Sequence, residues 1–344
     1  MREGRGPLSD RAHRCPACGS EGNGNGFAAR EMMLGLREEF QYYECGACGC
    51  LVLRDEPADW SRYYPAQYYS LTRPRESWLK RKLKRARARR SLGGHGLLGR
   101  ILVDRWGAPA FADWMLRARV GYDSPIVDVG AGNGDLLRQM HDAGFTHLIG
   151  IEPYIACDAD LAPGLKLLKG DLERLCGTHA LLMFNHSFEH LEDPRGTLLA
   201  ARERLDRDGS VLIRMPVAGT LAWQKYGVNW VQLDAPRHIC IQTVRSMGML
   251  ATQTGFELAD VLFDSTGFQF WGSEQYVRDV PLMDPQSHAV NPHASRFQAD
   301  ELARFESEAV RLNHEQLGDQ ACFYLRPIPR SSRQSTEAPW PTHP

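Results

Sequence analysis

The stretch Ile126-Val127-Asp128-Val129-Gly130-Ala131-Gly132-Asn133-Gly134-Asp135-Leu136-Leu137 constrains this chain more than any other. A β-branched run ends on a carboxylate, passes through alternate glycines and opens into apolar residues at helical spacing. That order predicts a strand, a tight turn and a helix start, which together bring backbone N–H groups up to a nucleotide. Strands are expected at 126–129, 147–152, 165–171, 180–185 and 210–214, with helices over 136–143 and 197–205. Such alternation predicts an α/β fold with a doubly wound, Rossmann-like parallel sheet. A helix over 243–254, a strand over 256–263, a helix over 302–312 and a last strand over 322–325 follow.

The glycine turn admits two cofactors. A dinucleotide fingerprint counted from Gly130 needs a small residue at 135, where the pyrophosphate approaches the helix. Asp135 stands there, and its charge would oppose phosphates. S-adenosylmethionine, which has no phosphate, tolerates it. Glu152 falls where a carboxylate takes two ribose hydroxyls, and Asp171 is placed to accept from an adenine amino group.

Upstream, Cys15-Pro16-Ala17-Cys18-Gly19 and Cys45-Gly46-Ala47-Cys48-Gly49 are two knuckles with glycine after the second cysteine. Cys15, Cys18, Cys45 and Cys48 suit tetrahedral, structural zinc, with Cys50 as a bystander. Nine cysteines, an odd count, fit a reducing compartment better than a disulfide framework. The N-terminus lacks the apolar run of a signal peptide, and no stretch is apolar enough to span a bilayer, so a cytoplasmic location is expected. The expected layout is a zinc ribbon over 1–58, a tyrosine-rich and basic connector over 59–122, the α/β domain over 123–328 and a disordered tail. The connector holds Trp60–Tyr69, rich in tyrosine, then the basic helical run Trp78–Arg90. That run is either a solvated connecting helix or a contact for anionic lipid or a diphosphate. A further helix is expected over 101–120.

Asp128 to Gly134, Glu152, Gly170-Asp171 and Phe188-Glu189-His190-Leu191-Glu192-Asp193-Pro194 together resemble the class I S-adenosylmethionine-dependent methyltransferases. The resemblance covers roughly residues 123–328 and implies a seven-stranded sheet whose seventh strand, 322–325, lies antiparallel beside the fifth. It implies that Asp128, Gly130, Gly132 and Gly134 line the methionine end of the cofactor and that Glu152 meets the ribose. Asp171 and Leu172 would meet the adenine, and Asn185 with His186 would form the floor. The segment 264–320 is then an insertion over the substrate pocket.

Methyl transfer is an in-line displacement, and a hydroxyl or carbon acid must also lose its proton to a base. His190, just past the fourth strand, is the expected base, with Glu189 orienting it or contacting substrate. Arg237 and His238 follow the fifth strand on the same edge and are expected to face the pocket as substrate residues; Arg237 suits either an anionic substrate group or a structural pairing with Asp234. The ribbon, connector and Glu-His pair also resemble the deoxysugar C-methyltransferases and methyltransferases of polysaccharide gene clusters. That resemblance implies a substrate role for Tyr68 or Tyr64 beside Glu189 and His190. The C-methyltransferases carry a further C-terminal domain, for which this chain lacks the length, so O-methylation of a sugar or glycan precursor, nucleotide- or lipid-linked, is as open as C-methylation. The competing readings are an RNA or protein methyltransferase docking through the ribbon and basic run, and a non-catalytic binding module. A net charge of -1 and no second basic stripe argue against nucleic acid.

Overall fold

The computed structural model describes residues 14–22, 24–64, 77–293 and 295–329. Tyr68, the second half of the tyrosine-rich stretch (65–69) and the tail expected to be disordered lie outside these residues. The N-terminal unit is a small antiparallel sheet of β1 (Gly24–Arg30), β2 (Glu39–Cys45) and β3 (Leu51–Leu53). Its two knuckles have one geometry: Gly19 N–H donates to Cys15 O at 2.8 Å and Gly49 N–H to Cys45 O at 2.7 Å. Both glycines have positive φ, 75° and 77°, which closes each turn around its thiol pair.

A helical layer follows, made of α1 (Trp78–Ser91), α2 (Leu97–Trp106) and α3 (Ala110–Ala118). The helix expected over 101–120 is therefore two helices. Gly107, at φ 70°, ends α2, and Pro109 caps α3.

The main sheet begins with β4 (Ile126–Val129), which feeds the glycine turn and α4 (Asp135–Ala143). Next come β5 (Leu148–Ile151), β6 (Ala159–Ala162), β7 (Leu165–Leu168), β8 (His179–Asn185), α5 (Pro194–Glu203) and β9 (Leu205–Pro216). The chain then forms α6 (Leu221–Tyr226), β10 (Cys240–Ile241), α7 (Val244–Gln253) and β11 (Phe256–Phe263). It ends with α8 (Phe268–Val277), α9 (Ala299–His314) and β12 (Gln320–Pro327). The sheet order is β11-β12-β9-β8-β4-β5-β7-β6. The five strands from β9 to β7 are mutually parallel, and β12 enters antiparallel beside β9. This is the expected seven-stranded Rossmann-like methyltransferase sheet with one unforeseen addition, β6, paired antiparallel to β7 at the edge. The third strand also stops at Leu168 rather than reaching Asp171; Gly170, at φ 133°, turns the chain out of the sheet.

After β4 the chain winds to one side, through β5 and β7, then crosses to β8 on the other side. Loops leaving β4 and β8 therefore diverge and leave a crevice at the carboxyl edge, where open α/β sheets bind ligands. The ribbon packs against that crevice. β10, from the main domain, pairs with β3 as the fourth strand of the ribbon sheet. Ala29, Phe40 and Tyr42 of the ribbon share one hydrophobic core with Val127, Phe184 and Phe188 of the main sheet.

Candidate functional site

The crevice is a cavity of about 1120 Å³, floored by the β4 and β8 loops and walled by ribbon and insertion residues. Gly130, Gly132 and Gly134 all have positive φ, 79°, 55° and 78°. At Gly130 a Cβ would stand 2.4 Å from Ser187 Cβ, so the turn can nest under the β8 loop only without a side chain. The Ser187 hydroxyl donates to Val129 O and joins the two loops. Glu152, buried at the end of β5, accepts from Gly132 N–H at 2.9 Å and Tyr154 N–H at 3.1 Å, which aims its remaining lone pairs at the cavity. Asp128 is buried, and its Oδ1 has no hydrogen-bond partner among the described residues. Burial, with Glu152 adding repulsion, pushes its carboxyl up to about 7.

Asp171 lines the cavity, held by Glu173 N–H at 3.0 Å, but Leu172 does not: it is buried in the core behind the wall. The expectation that Leu172 touches the adenine is corrected by this placement, which follows from the chain leaving the sheet at Gly170. Asn185 and His186 line the cavity at the end of β8. Arg214, which sequence reasoning passed over, holds that end: it reaches Asn185 Oδ1 at 3.3 Å, contacts His186 Nε2 and pairs with Asp264 at 2.6 Å. A cation at the end of a buried strand was the available signal.

Just past β8, residues 188–190 make one turn of 3-10 helix. His190 Nδ1 donates to Arg237 O at 2.7 Å, which leaves Nε2 with the lone pair. Burial, then the neighbouring His238, push the His190 imidazole below its ordinary value, so the neutral form prevails at neutral pH. The Tyr64 hydroxyl lies 3.3 Å from His190 Nδ1, and its ring stacks on Tyr154 at 6.1 Å. Burial raises the Tyr64 phenol, which stays protonated. Glu189 is fully buried behind this group, with His186 Nδ1 at 3.4 Å and His238 Nε2 at 3.9 Å from its Oε1. Burial opposes its ionisation, but the imidazoles of His186, His190 and His238 outweigh burial and hold the carboxyl at about 2. His238 Nδ1 donates to Gln232 O at 2.8 Å, and its ring centroid lies 4.9 Å from that of His190.

Arg237 does not face the cavity. It is fully buried, with Asp234 at 2.6 Å and Glu31 at 2.9 Å, both on Nη2, so of the two readings the structure supports the pairing with Asp234. Placement on the loop after β9 was legible; the partner Glu31, 206 positions away, was not. Glu31 in turn accepts from Leu34 and Leu36 N–H at 2.8 and 2.9 Å. The ribbon loop it organises reaches the cavity through Met33 and hydrogen-bonds the insertion, Leu282 N–H to Met32 O and Met283 N–H to Met33 O, both 2.9 Å. The insertion forms part of the cavity wall through Phe268, Leu282 and Met283.

At the knuckles, Cys15, Cys18, Cys45 and Cys48 have their sulfurs within 4.8 Å of one another. Cys15–Cys48 and Cys18–Cys45 are both 3.7 Å apart, close to the edge of a tetrahedron with Zn–S near ~2.3 Å. Cys50 is buried with its sulfur 3.3 Å from Cys15 and 3.4 Å from Cys48, so it touches the site rather than standing aside.

The family model described as a methyltransferase domain matches residues 78–261 of this chain. The chain belongs to the methyltransferase-domain family. No curated protein matches it. Among solved structures, the cyclopropane synthase MmaA2 of Mycobacterium tuberculosis is 14% identical at TM-score 0.40, the match covering 63% of this methyltransferase and 83% of that chain. An S-adenosylmethionine-dependent methyltransferase from Mesorhizobium loti is 17% identical at TM-score 0.37, over 61% and 95% of the two chains. The protein is an enzyme, an S-adenosylmethionine-dependent methyltransferase, and its own donor set fits that cofactor. A buried acceptor without a partner at Asp128, a carboxylate steadied for hydroxyls at Glu152 and a turn closed to side chains at Gly130 suit an ammonium, a ribose and a close backbone approach.

Proposed function

We propose that the enzyme methylates a sugar or glycan precursor, on oxygen or carbon, with His190 as the general base. The observation that carries this reading is the His190 tautomer: on a residue that lines the cavity, a neutral imidazole whose Nδ1 donates to Arg237 O, which leaves Nε2 as the ring's proton acceptor. S-adenosylmethionine supplies a methyl group on a sulfonium. In this reading Asp128, Gly130, Gly132 and Gly134 hold its amino-acid end, Glu152 its ribose and Asp171 its adenine, with Asn185 and His186 beneath. His190 takes the acceptor proton. Glu189, ionised and buried, favours the imidazolium that results, and His238 steadies the pair. Trp60, Tyr64 and Tyr154 offer aromatic faces beside polar groups, a mixture that suits a sugar ring. With Arg237 spent on Asp234 and Glu31, no arginine among the described residues lines this cavity to meet a sugar phosphate. Cys15, Cys18, Cys45 and Cys48 hold a structural zinc, which the short ribbon needs in order to fold.

A divalent cation held by Glu189, His190 and His238 is the competing reading, favoured by ligand-capable atoms lying within 4.8 Å of one another. A methyl-transfer screen against nucleotide sugars, lipid-linked glycans and RNA tests the acceptor class. Product with a sugar supports the proposal; transfer to RNA alone contradicts it. With an acceptor in hand, turnover unaffected by added Mn²⁺ or Mg²⁺ supports the base, and an absolute requirement for either supports the cation.

A further inference from the structure

Away from the cavity, the most unusual surface belongs to the antiparallel hairpin of α1 and α2. Helix α1 carries eight lysines and arginines among its residues and no acid. The helices pack through Gly99, where a Cβ would stand 2.6 Å from Ala86 O, and through buried Leu102. Using that face for packing turns Leu97, Leu98 and Ile101 outward, Leu97 being 75% exposed. At the open end of the hairpin, Trp78 and Trp106 are 68% and 59% exposed. Each indole lies beside a cation, Lys82 Nζ at 4.8 Å from the Trp78 ring and Arg105 at 5.8 Å from that of Trp106. The hairpin is anchored from behind, by Arg81 to Asp142 at 3.4 Å and Arg89 to Ala143 O at 3.3 Å, so this face is held outward by the domain.

We propose that this hairpin docks the enzyme on an anionic lipid leaflet. Leu97, Leu98 and Ile101 enter the headgroup boundary, while the cations of α1 not engaged with Asp142 and Ala143 meet lipid phosphates. Charge complementarity selects an anionic partner, and the aliphatic trio selects a membrane over RNA. Single-stranded RNA would use the cations and indoles but leave Leu97, Leu98 and Ile101 against water. Among the described residues no helix is long and apolar enough to cross a membrane. The inference is independent of the acceptor and of His190.

Flotation of the full chain with phosphatidylcholine vesicles, with and without phosphatidylglycerol, tests it. Binding is expected only to the anionic vesicles and should weaken as salt rises. The exposed pair Leu97→Glu with Ile101→Glu, and separately Lys80→Glu with Arg85→Glu, should each weaken it about tenfold or more while leaving S-adenosylmethionine binding unchanged. Failure to bind anionic vesicles, equal binding to both vesicle types, or indifference to both double variants overturns the proposal. Tight binding of poly-uridine that ignores the Leu97 and Ile101 changes, with no vesicle binding, reassigns the face to nucleic acid.

Discussion

At His190 the tautomer depends on one backbone carbonyl. Arg237 O fixes the tautomer, and burial with His238 keeps the ring neutral. If His190 is the base, His190→Ala lowers turnover by about 100-fold or more and leaves cofactor affinity unchanged. Wild-type turnover in that variant would end its role. The active form is the deprotonated one, so turnover should rise with pH through a folded pKa depressed below the ordinary value of about 6.5, then stay level across neutrality. A limb above pH 7 would contradict this. The Glu-His pair was legible because its distance past a buried strand places it at the carboxyl edge. Arg237 was ambiguous for the opposite reason: a cation near a pocket in sequence turns inward when distant carboxylates, Glu31 here, neutralise it.

Among the elements, the glycine turn was legible because each glycine meets a local backbone demand. Gly130→Ala combines positive φ with a clash on Ser187 and should abolish S-adenosylmethionine binding by calorimetry while circular dichroism stays native. Strand β6 was illegible: Ala159–Ala162 has neither apolar alternation nor a buried residue, and only its pairing with β7 makes it a strand. The knuckles were legible from spacing. Metal analysis should return about one zinc per chain, and Cys45→Ser should lose it; a metal-free, folded wild type would contradict the assignment.

In the whole molecule, the ribbon and the catalytic domain are not beads joined by a connector. They share a core, a sheet through β3 and β10, and the buried Glu31–Arg237–Asp234 cluster. Of these only the Asp234–Arg237 pair, three residues apart, was legible; the other contacts join residues far apart in sequence. Removing Arg237 leaves buried Glu31 and part-buried Asp234 without their cation, so Arg237→Leu should cost about 3–5 kcal/mol in denaturant unfolding. Ribbon and main-domain probes should melt together; a separate ribbon transition would contradict a shared core. The central claim is that one cavity divides into a cofactor half at Glu152 and an acceptor half at His190. Calorimetric titration of S-adenosylmethionine into wild type, Glu152→Ala and His190→Ala tests it most directly. The division predicts one site in the wild type, affinity at least about tenfold weaker in Glu152→Ala and unchanged affinity in His190→Ala. Equal binding by wild type and Glu152→Ala, or loss of binding in His190→Ala, would contradict it.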